Sequence, residues 1–306
     1  MVLQDLISDF YKRYTHDGGI AGSVKCPASV VLFGAADANG SLPTISLALS
    51  FGAETAFRVR GDGRLVLSRT DSDAQQSVNK IDVEKFSGAD WADEIFKAFA
   101  KLPVALGGAE LLMYTDVGLP EFSPRKLCAV QAAAKAFSRD EMPSAILRAA
   151  DYPPYYLSSL IENARAAAIN TTTLEYLPYS FKLAGKKIVI ARIQSKRNIP
   201  KSTVLYREHE RTRINRAAGA LSDGDIDLLG IIMREASFDM LSAHKSSSVG
   251  ALFEYASEFT HAVRVMVDFA GIIAFVADPE VDKFVAIVGD RYEKKTGIRP
   301  AFYISD

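Results

Sequence analysis

Gly271-Ile272-Ile273-Ala274-Phe275-Val276-Ala277 is an unbroken apolar run of strand length, and Ala301-Phe302-Tyr303-Ile304 is a second short β-type run. Between them, Val281 to Thr296 reads as a helix. A buried strand, a helix and a second strand in close succession predict a β-α-β layer at the end of the chain. Working outward, Lys187 to Ala191 reads as another strand, and a charged helix runs from about Lys201 to Leu221. Asp223-Gly224-Asp225-Ile226-Asp227 matches no calcium-loop spacing and reads as a solvated turn that caps the next helix, which follows Asp225. A further helix covers Gly250 to Phe259.

Towards the other end, residues 2 to 14 predict an amphipathic helix, with Leu3, Leu6, Ile7 and Phe10 on one face. Short β-type runs follow at Ser29 to Phe33, Ile45 to Leu49, Thr55 to Val59 and Leu65 to Leu67. Asp62-Gly63 reads as a two-residue hairpin between the last two. A helix is expected at Ala92 to Ala100 and a strand at Ala109 to Met113. Ser123-Pro124 opens a helix, because serine suits the cap and proline the first turn. Leu127, Val130, Ala134 and Phe137 line its apolar face. A helix is expected near Ser158 to Ala168. Strands mixed with helices, and a hairpin among them, indicate α+β layers in two domains, residues 1 to 175 and 176 to 306.

Composition narrows the function classes. The chain has 306 residues, 48% hydrophobic and 24% charged, with a formal net charge of -1. It lacks the basic excess of a nucleic-acid binder and any apolar run long enough to span a bilayer. Its first residues carry acids and no basic n-region, so a cytoplasmic protein is expected. Cys26 and Cys128 read as reduced, buried thiols. The four histidines have no metal spacing. No phosphate-loop, dinucleotide, zinc-protease or nucleophile-elbow motif is present.

Four stretches resemble galactokinase, of the GHMP small-molecule kinases. Cys26-Pro27-Ala28-Ser29-Val30-Val31-Leu32-Phe33-Gly34, with Asp37, Asn39, Gly40 and Pro43, resembles the APGRVNLIGEHTDYNGG signature and its following Leu-Pro. Thr173-Leu174-Glu175-Tyr176-Leu177-Pro178 is similar to the family's EY-x-P strand. Tyr206-Arg207-Glu208-His209-Glu210-Arg211 is similar to its Y-N-x-R-R helix, and Ser195-Lys196-Arg197-Asn198 supplies basic residues just before it. Tyr292-Glu293-Lys294-Lys295-Thr296-Gly297, with Pro300, Phe302 and Tyr303, resembles the family's terminal Y-x-x-K-T-G-x-x-P-x-F-Y. The resemblance implies a two-domain GHMP kinase fold with a ferredoxin-like C-terminal domain and a site in the cleft between the domains.

It also implies where the chemistry would sit. Relatives use an aspartate beside the sugar hydroxyl, an arginine paired with it, and a small-residue loop that holds ATP phosphates at a helix N-terminus. Ser29 occupies the arginine position and supplies no fixed charge. Asp37 is either a surviving acceptor of sugar hydroxyls or a turn aspartate before Asn39-Gly40. The phosphate-loop segment runs from Gly118 to Lys126. Pro120 and Pro124 remove donors there, and Glu121 and Phe122 add an anion and bulk. Gly118 and Ser123 are its candidate nucleotide contacts, Ser123 alternatively serving only as the cap, while Arg125 and Lys126 could attract an anion. No Asp-Gln pair precedes Thr173, and Asp151, before the bend at Pro153-Pro154, is a candidate catalytic acid, Asp37 being the other for a rearranged site. Of the third glycine-rich motif only Arg264 and Gly271 persist, and Val265, Met266 and Val267 read as buried strand. Tyr206 either touches a sugar or packs with its hydroxyl at the rim.

The expectation is a catalytically degenerate galactokinase homologue that binds a small molecule, a sugar among the candidates, or regulates a protein partner, with no cofactor. The alternatives are an active sugar kinase with a rearranged site using Mg-ATP, and a structural partner of an active kinase. Neither nucleic acid nor membrane is an expected partner.

Overall fold

A computed structural model describes residues 3–15, 19–34, 43–78, 91–100, 108–115, 124–136, 165–170, 173, 175–193, 204–242, 248–266 and 269–306. The chain divides into two compact units, Met1–Ser29 with Phe51–Leu160 and Val30–Ser50 with Ile161–Asp306.

In the first unit, α1 (Leu3–Arg13) packs Leu6 and Phe10, with Tyr14 just beyond it, against Ala56, Val66 and Leu112. The amphipathic spacing expected there is what this packing needs. The strands beneath are residues 22–29 of β1 (Gly22–Phe33), residues 51–60 of β2 (Thr44–Arg60), β3 (Leu65–Arg69), β4 (Ser72–Val78) and β5 (Gly108–Thr115), the rest of β1 and β2 belonging to the second unit. They lie in the order β4-β3-β5-β2, with β1 paired to β2. Helices α2 (Asp93–Ala100) and α3 (Arg125–Ala136) also belong to the unit.

The sequence reading is corrected here in two places. Ile45–Leu49 and Thr55–Val59 are parts of one 17-residue strand, β2, because Ser50 to Glu54 stay extended and mostly buried. Asp62-Gly63 does not close a hairpin between β2 and β3, because β5 lies between them, antiparallel to β2 and parallel to β3. Gly108 makes the entry possible: a Cβ there would lie 2.8 Å from Arg60 O and 3.0 Å from Arg64 N. Only a residue without a side chain fits between those backbones.

Where these strands meet α1, the buried Glu110 carboxylate takes Arg58 Nη2 at 2.7 Å and also pairs with Arg60, while Arg58 lies 5.4 Å from the centre of the Phe10 ring. Buried charge is tolerated here because each ion is paired.

In the second unit, Thr44 to Leu47 of β2 pair with β6 (Arg165–Ile169), and β6 pairs with β7 (Tyr176–Ser180). Residues 165–169 are therefore a strand, not the end of the helix expected near Ser158 to Ala168. Three alanines favour a helix locally, and pairing on both edges overrides that preference. Residues 158–164 lie outside the described residues.

The second sheet has strands β8 (Lys186–Arg192), β9 (Val263–Val265), β10 (Gly271–Ala277) and β11 (Ala301–Ser305) in the order β11-β8-β10-β9, with every pair antiparallel. Helices α4 (Val204–Asp223), α5 (Ile226–Leu241), α6 (Ser248–Ala256) and α7 (Val281–Thr296) accompany it. The β-α-β ending is present, split by β8, and the arrangement is the expected ferredoxin-like layer. Asp225 caps α5 as its sequence indicates, accepting Leu228 N–H at 2.8 Å. Val263 to Val265 form a short strand, and all three are buried. Among the described residues, no helix is long and apolar enough to cross a membrane.

Candidate functional site

The second unit holds a connected charge network on α4 and α5. Arg213 lies one helical turn on from His209 and Glu210 on α4, which brings its side chain to theirs. Glu210 is 1% exposed. One of its oxygens accepts the Gly34 N–H at 2.6 Å and the other takes Arg213 Nη1 at 3.3 Å. Arg213 also pairs with Asp239 of α5, and His209 Nδ1 lies 2.9 Å from the same carboxylate.

A groove of about 430 Å³ opens beside the network, lined by His209, Thr212, Arg216, Glu235, Phe238 and Asp239. Arg216 and Glu235 face each other with contacts of 2.5 and 3.2 Å. Donors, acceptors and the half-exposed Phe238 ring thus share one groove. Such a lining suits a small hydroxyl-bearing molecule better than a highly charged one, because its ions already pair with one another.

Gly34 itself is strongly constrained. Its φ is +91°, and a Cβ would meet Pro43 O at 2.5 Å. Arg264, 2% exposed, holds the residues just before it: Nε donates to Leu32 O at 2.9 Å and the guanidinium lies 5.4 Å from the centre of the Phe33 ring. Arg264 Nη1 donates to Val265 O at 2.7 Å, and Ser237 Oγ fastens α5 to β9 through Val263 O and Val265 N. The arginine singled out in the sequence is therefore a structural clasp on the end of β1.

In the first unit, the start of α3 carries a different cluster. Arg125 Nη2 donates to Thr115 Oγ1 at 3.0 Å, and the guanidinium is half-buried. Burial and the nearby Arg69 cation pull its pKa below the ordinary value, while Asp71 acts the other way. Arg69 in turn grips Asp71 and lies 5.4 Å from the centre of the Trp91 ring. Among the described residues, Arg125 thus has one cation, Arg69, and one carboxylate, Asp71, for charged neighbours. Arg69, which sequence reasoning missed, is a neighbour of Arg125.

Of the residues singled out by sequence, Asp37, Gly118, Ser123 and Asp151 lie outside the described residues. Tyr206 falls within α4, and its side chain lies outside what the structure describes. Ser29 is in β1 and 2% exposed. The Glu210–Arg213–Asp239–His209 network was not foreseen. The one-turn spacing of Arg213 from His209 and Glu210 was its only local signal, and neither Gly34 nor Asp239 is predictable from that spacing.

No family model matches the sequence. Galactokinase of Bacillus subtilis (strain 168) is 29% identical over 104 residues, which span 32% of this chain and 27% of that relative's length. Among solved structures, the Lactococcus lactis galactokinase complexed with galactose has a TM-score of 0.82 at 18% identity, covering 100% of this chain and 98% of that one. The Methanococcus jannaschii mevalonate kinase gives 0.62 at 11% identity, covering 94% and 98%. A D-glycero-D-manno-heptose 1-phosphate kinase gives 0.63 at 12% identity, covering 94% and 97%. The fold is that of the GHMP kinases, as the four resembling stretches imply.

Proposed function

We propose that this chain is a galactokinase homologue that has lost phosphoryl transfer and that binds a small molecule, a sugar foremost, in a binding or regulatory role. Buried Ser29 carries the reading. It stands where the resemblance calls for an arginine, in a strand position 2% exposed. A side chain there cannot bring a fixed cation to a transferring phosphate, a contribution often worth two to three orders of magnitude in rate. Glu210 adds support. It falls in the stretch similar to the Y-N-x-R-R helix, at the second arginine, so the sign of the charge is reversed. Its carboxylate is occupied by Gly34 and Arg213.

A second reading, an active sugar kinase with altered ATP contacts, is favoured by one observation, the proximity of the Arg69 and Arg125 guanidiniums at the start of α3. Those guanidiniums would face phosphates, which need cationic or N–H donors. Bound Mg-ATP would supply the transferable phosphoryl group. Binding separates the two readings. Millimolar galactose, and separately Mg-ATP, is added during thermal unfolding, where a ligand at one hundred times its dissociation constant stabilises by about 2.7 kcal/mol. The first reading expects a saturable rise with a sugar and none with Mg-ATP. A saturable rise with Mg-ATP that Arg125→Ala removes would favour the second.

A further inference from the structure

We infer that Cys26 and Cys128 form a latent disulfide pair, a site of reversible thiol oxidation that would tie α3 to β1. They are the chain's two cysteines, far apart in sequence, and both are fully buried in the first unit. Val24 and Cys26 are two residues apart on β1, so their side chains share one face, with exposed Lys25 on the other. Cys128 lies against that stretch: its Sγ is 3.3 Å from Val24 O, 3.5 Å from Ala53 O and 3.4 Å from Thr55 Oγ1. From the strand side, Cys26 Sγ reaches Gln131 Oε1 at 2.9 Å, and Gln131 is the residue one turn on from Cys128 in α3. Each sulfur therefore sits in the same β1–α3 seam. Burial, with Cys128 as a neighbour, pushes the Cys26 thiol up.

The chemistry needs an oxidant, and a small disulfide such as oxidised glutathione supplies it. One cysteine sulfur, as thiolate, attacks the reagent and releases one reduced thiol, leaving a mixed disulfide. The second cysteine sulfur then displaces the remaining thiol and forms the Sγ–Sγ bond. The two cysteine protons end on the two released thiols, so the cysteines are oxidised by two electrons and the reagent is reduced. Because the thiolate is the nucleophile and a buried thiol is held protonated, the closed seam protects the pair. Opening of α3 away from β1 starts the reaction, and the bond once made holds the seam shut.

The test treats the reduced, full-length protein with oxidised glutathione, with and without mild urea. Remaining thiols are then alkylated under denaturing conditions and the intact mass is read. The wild type is expected to lose both alkylatable thiols without retaining glutathione, faster in urea. Its melting temperature should rise by several degrees, as for closure of a long loop, and reductant should reverse the rise. Cys26→Ala and Cys128→Ala should each keep one thiol that either alkylates or carries glutathione. Two thiols still alkylated in the wild type, persistent glutathione adducts, disulfide-linked dimers or a lowered melting temperature would each overturn the proposal. The wild-type masses decide the matter even where a variant fails to fold.

Discussion

The Glu210 carboxylate accepts the Gly34 N–H at 2.6 Å, joining residues 176 positions apart. The bond fixes the end of β1 to α4 within the second unit, and Arg213 neutralises the same carboxylate. Glu210→Ala leaves Arg213 with Asp239 but strips the Gly34 N–H of its acceptor and should cost about 1–3 kcal/mol of stability. Glu210→Gln still accepts from Gly34 and should cost less. Urea unfolding of the two variants checks the order, and an equal loss in both would mean that the charge alone matters there and the bond to Gly34 contributes nothing.

Gly34→Ala combines a left-handed backbone with a Cβ 2.5 Å from Pro43 O. The backbone strain alone is on the order of 1–3 kcal/mol, and the clash adds to it. A chemical-denaturation midpoint equal to the wild type would show that the turn relaxes freely.

The acid limb of the stability curve should reflect Asp71. The Arg69 guanidinium holds its carboxyl below the usual carboxylate range. A depressed folded value means that the stabilisation is fully present above the unfolded value of about 4 and is lost as pH falls through the folded one. The wild type should therefore exceed Asp71→Asn in stability at neutral pH, and the two curves should converge at low pH. Melting temperatures across that range measure it; a gap that widened on acidification would contradict the assignment.

Strand β7 ends the described strand order beside β6, and Leu177 is 59% exposed. Asn170 N–H donates to Glu175 O, which sets the ladder phase. Hydrogen-bonded and non-hydrogen-bonded pairs alternate in an antiparallel ladder, so the Ala167–Pro178 pair is non-hydrogen-bonded and Pro178 turns its nitrogen to the open edge. Proline has no N–H there, and the edge is blunted against pairing with other chains. Pro178→Thr should raise concentration-dependent self-association, read by light scattering. An unchanged profile would assign the protection to another feature.

The terminal β-α-β and the Asp225 cap were legible in the sequence because each depends on neighbouring residues. The strand at Arg165–Ile169 was not, since its alanines gain strand character by pairing with β7 and with β2, which lies far away in the chain. The same reason hid the site. His209, Glu210 and Arg213 are close in sequence, whereas the groups that complete them, Gly34 and Asp239, arrive through the fold. Arg264 was visible as a residue matching a motif, but its role as a clasp depends on Leu32 and Phe33.

Phosphoryl transfer tests the central claim most directly. The purified protein is incubated with galactose and Mg-ATP, and sugar phosphate is measured by phosphorus NMR together with ADP release. The account predicts no sugar phosphate above a protein-free blank. Saturable formation of galactose phosphate at the roughly 1–100 per second typical of kinases, abolished by Asp151→Asn, would contradict it and establish an active enzyme.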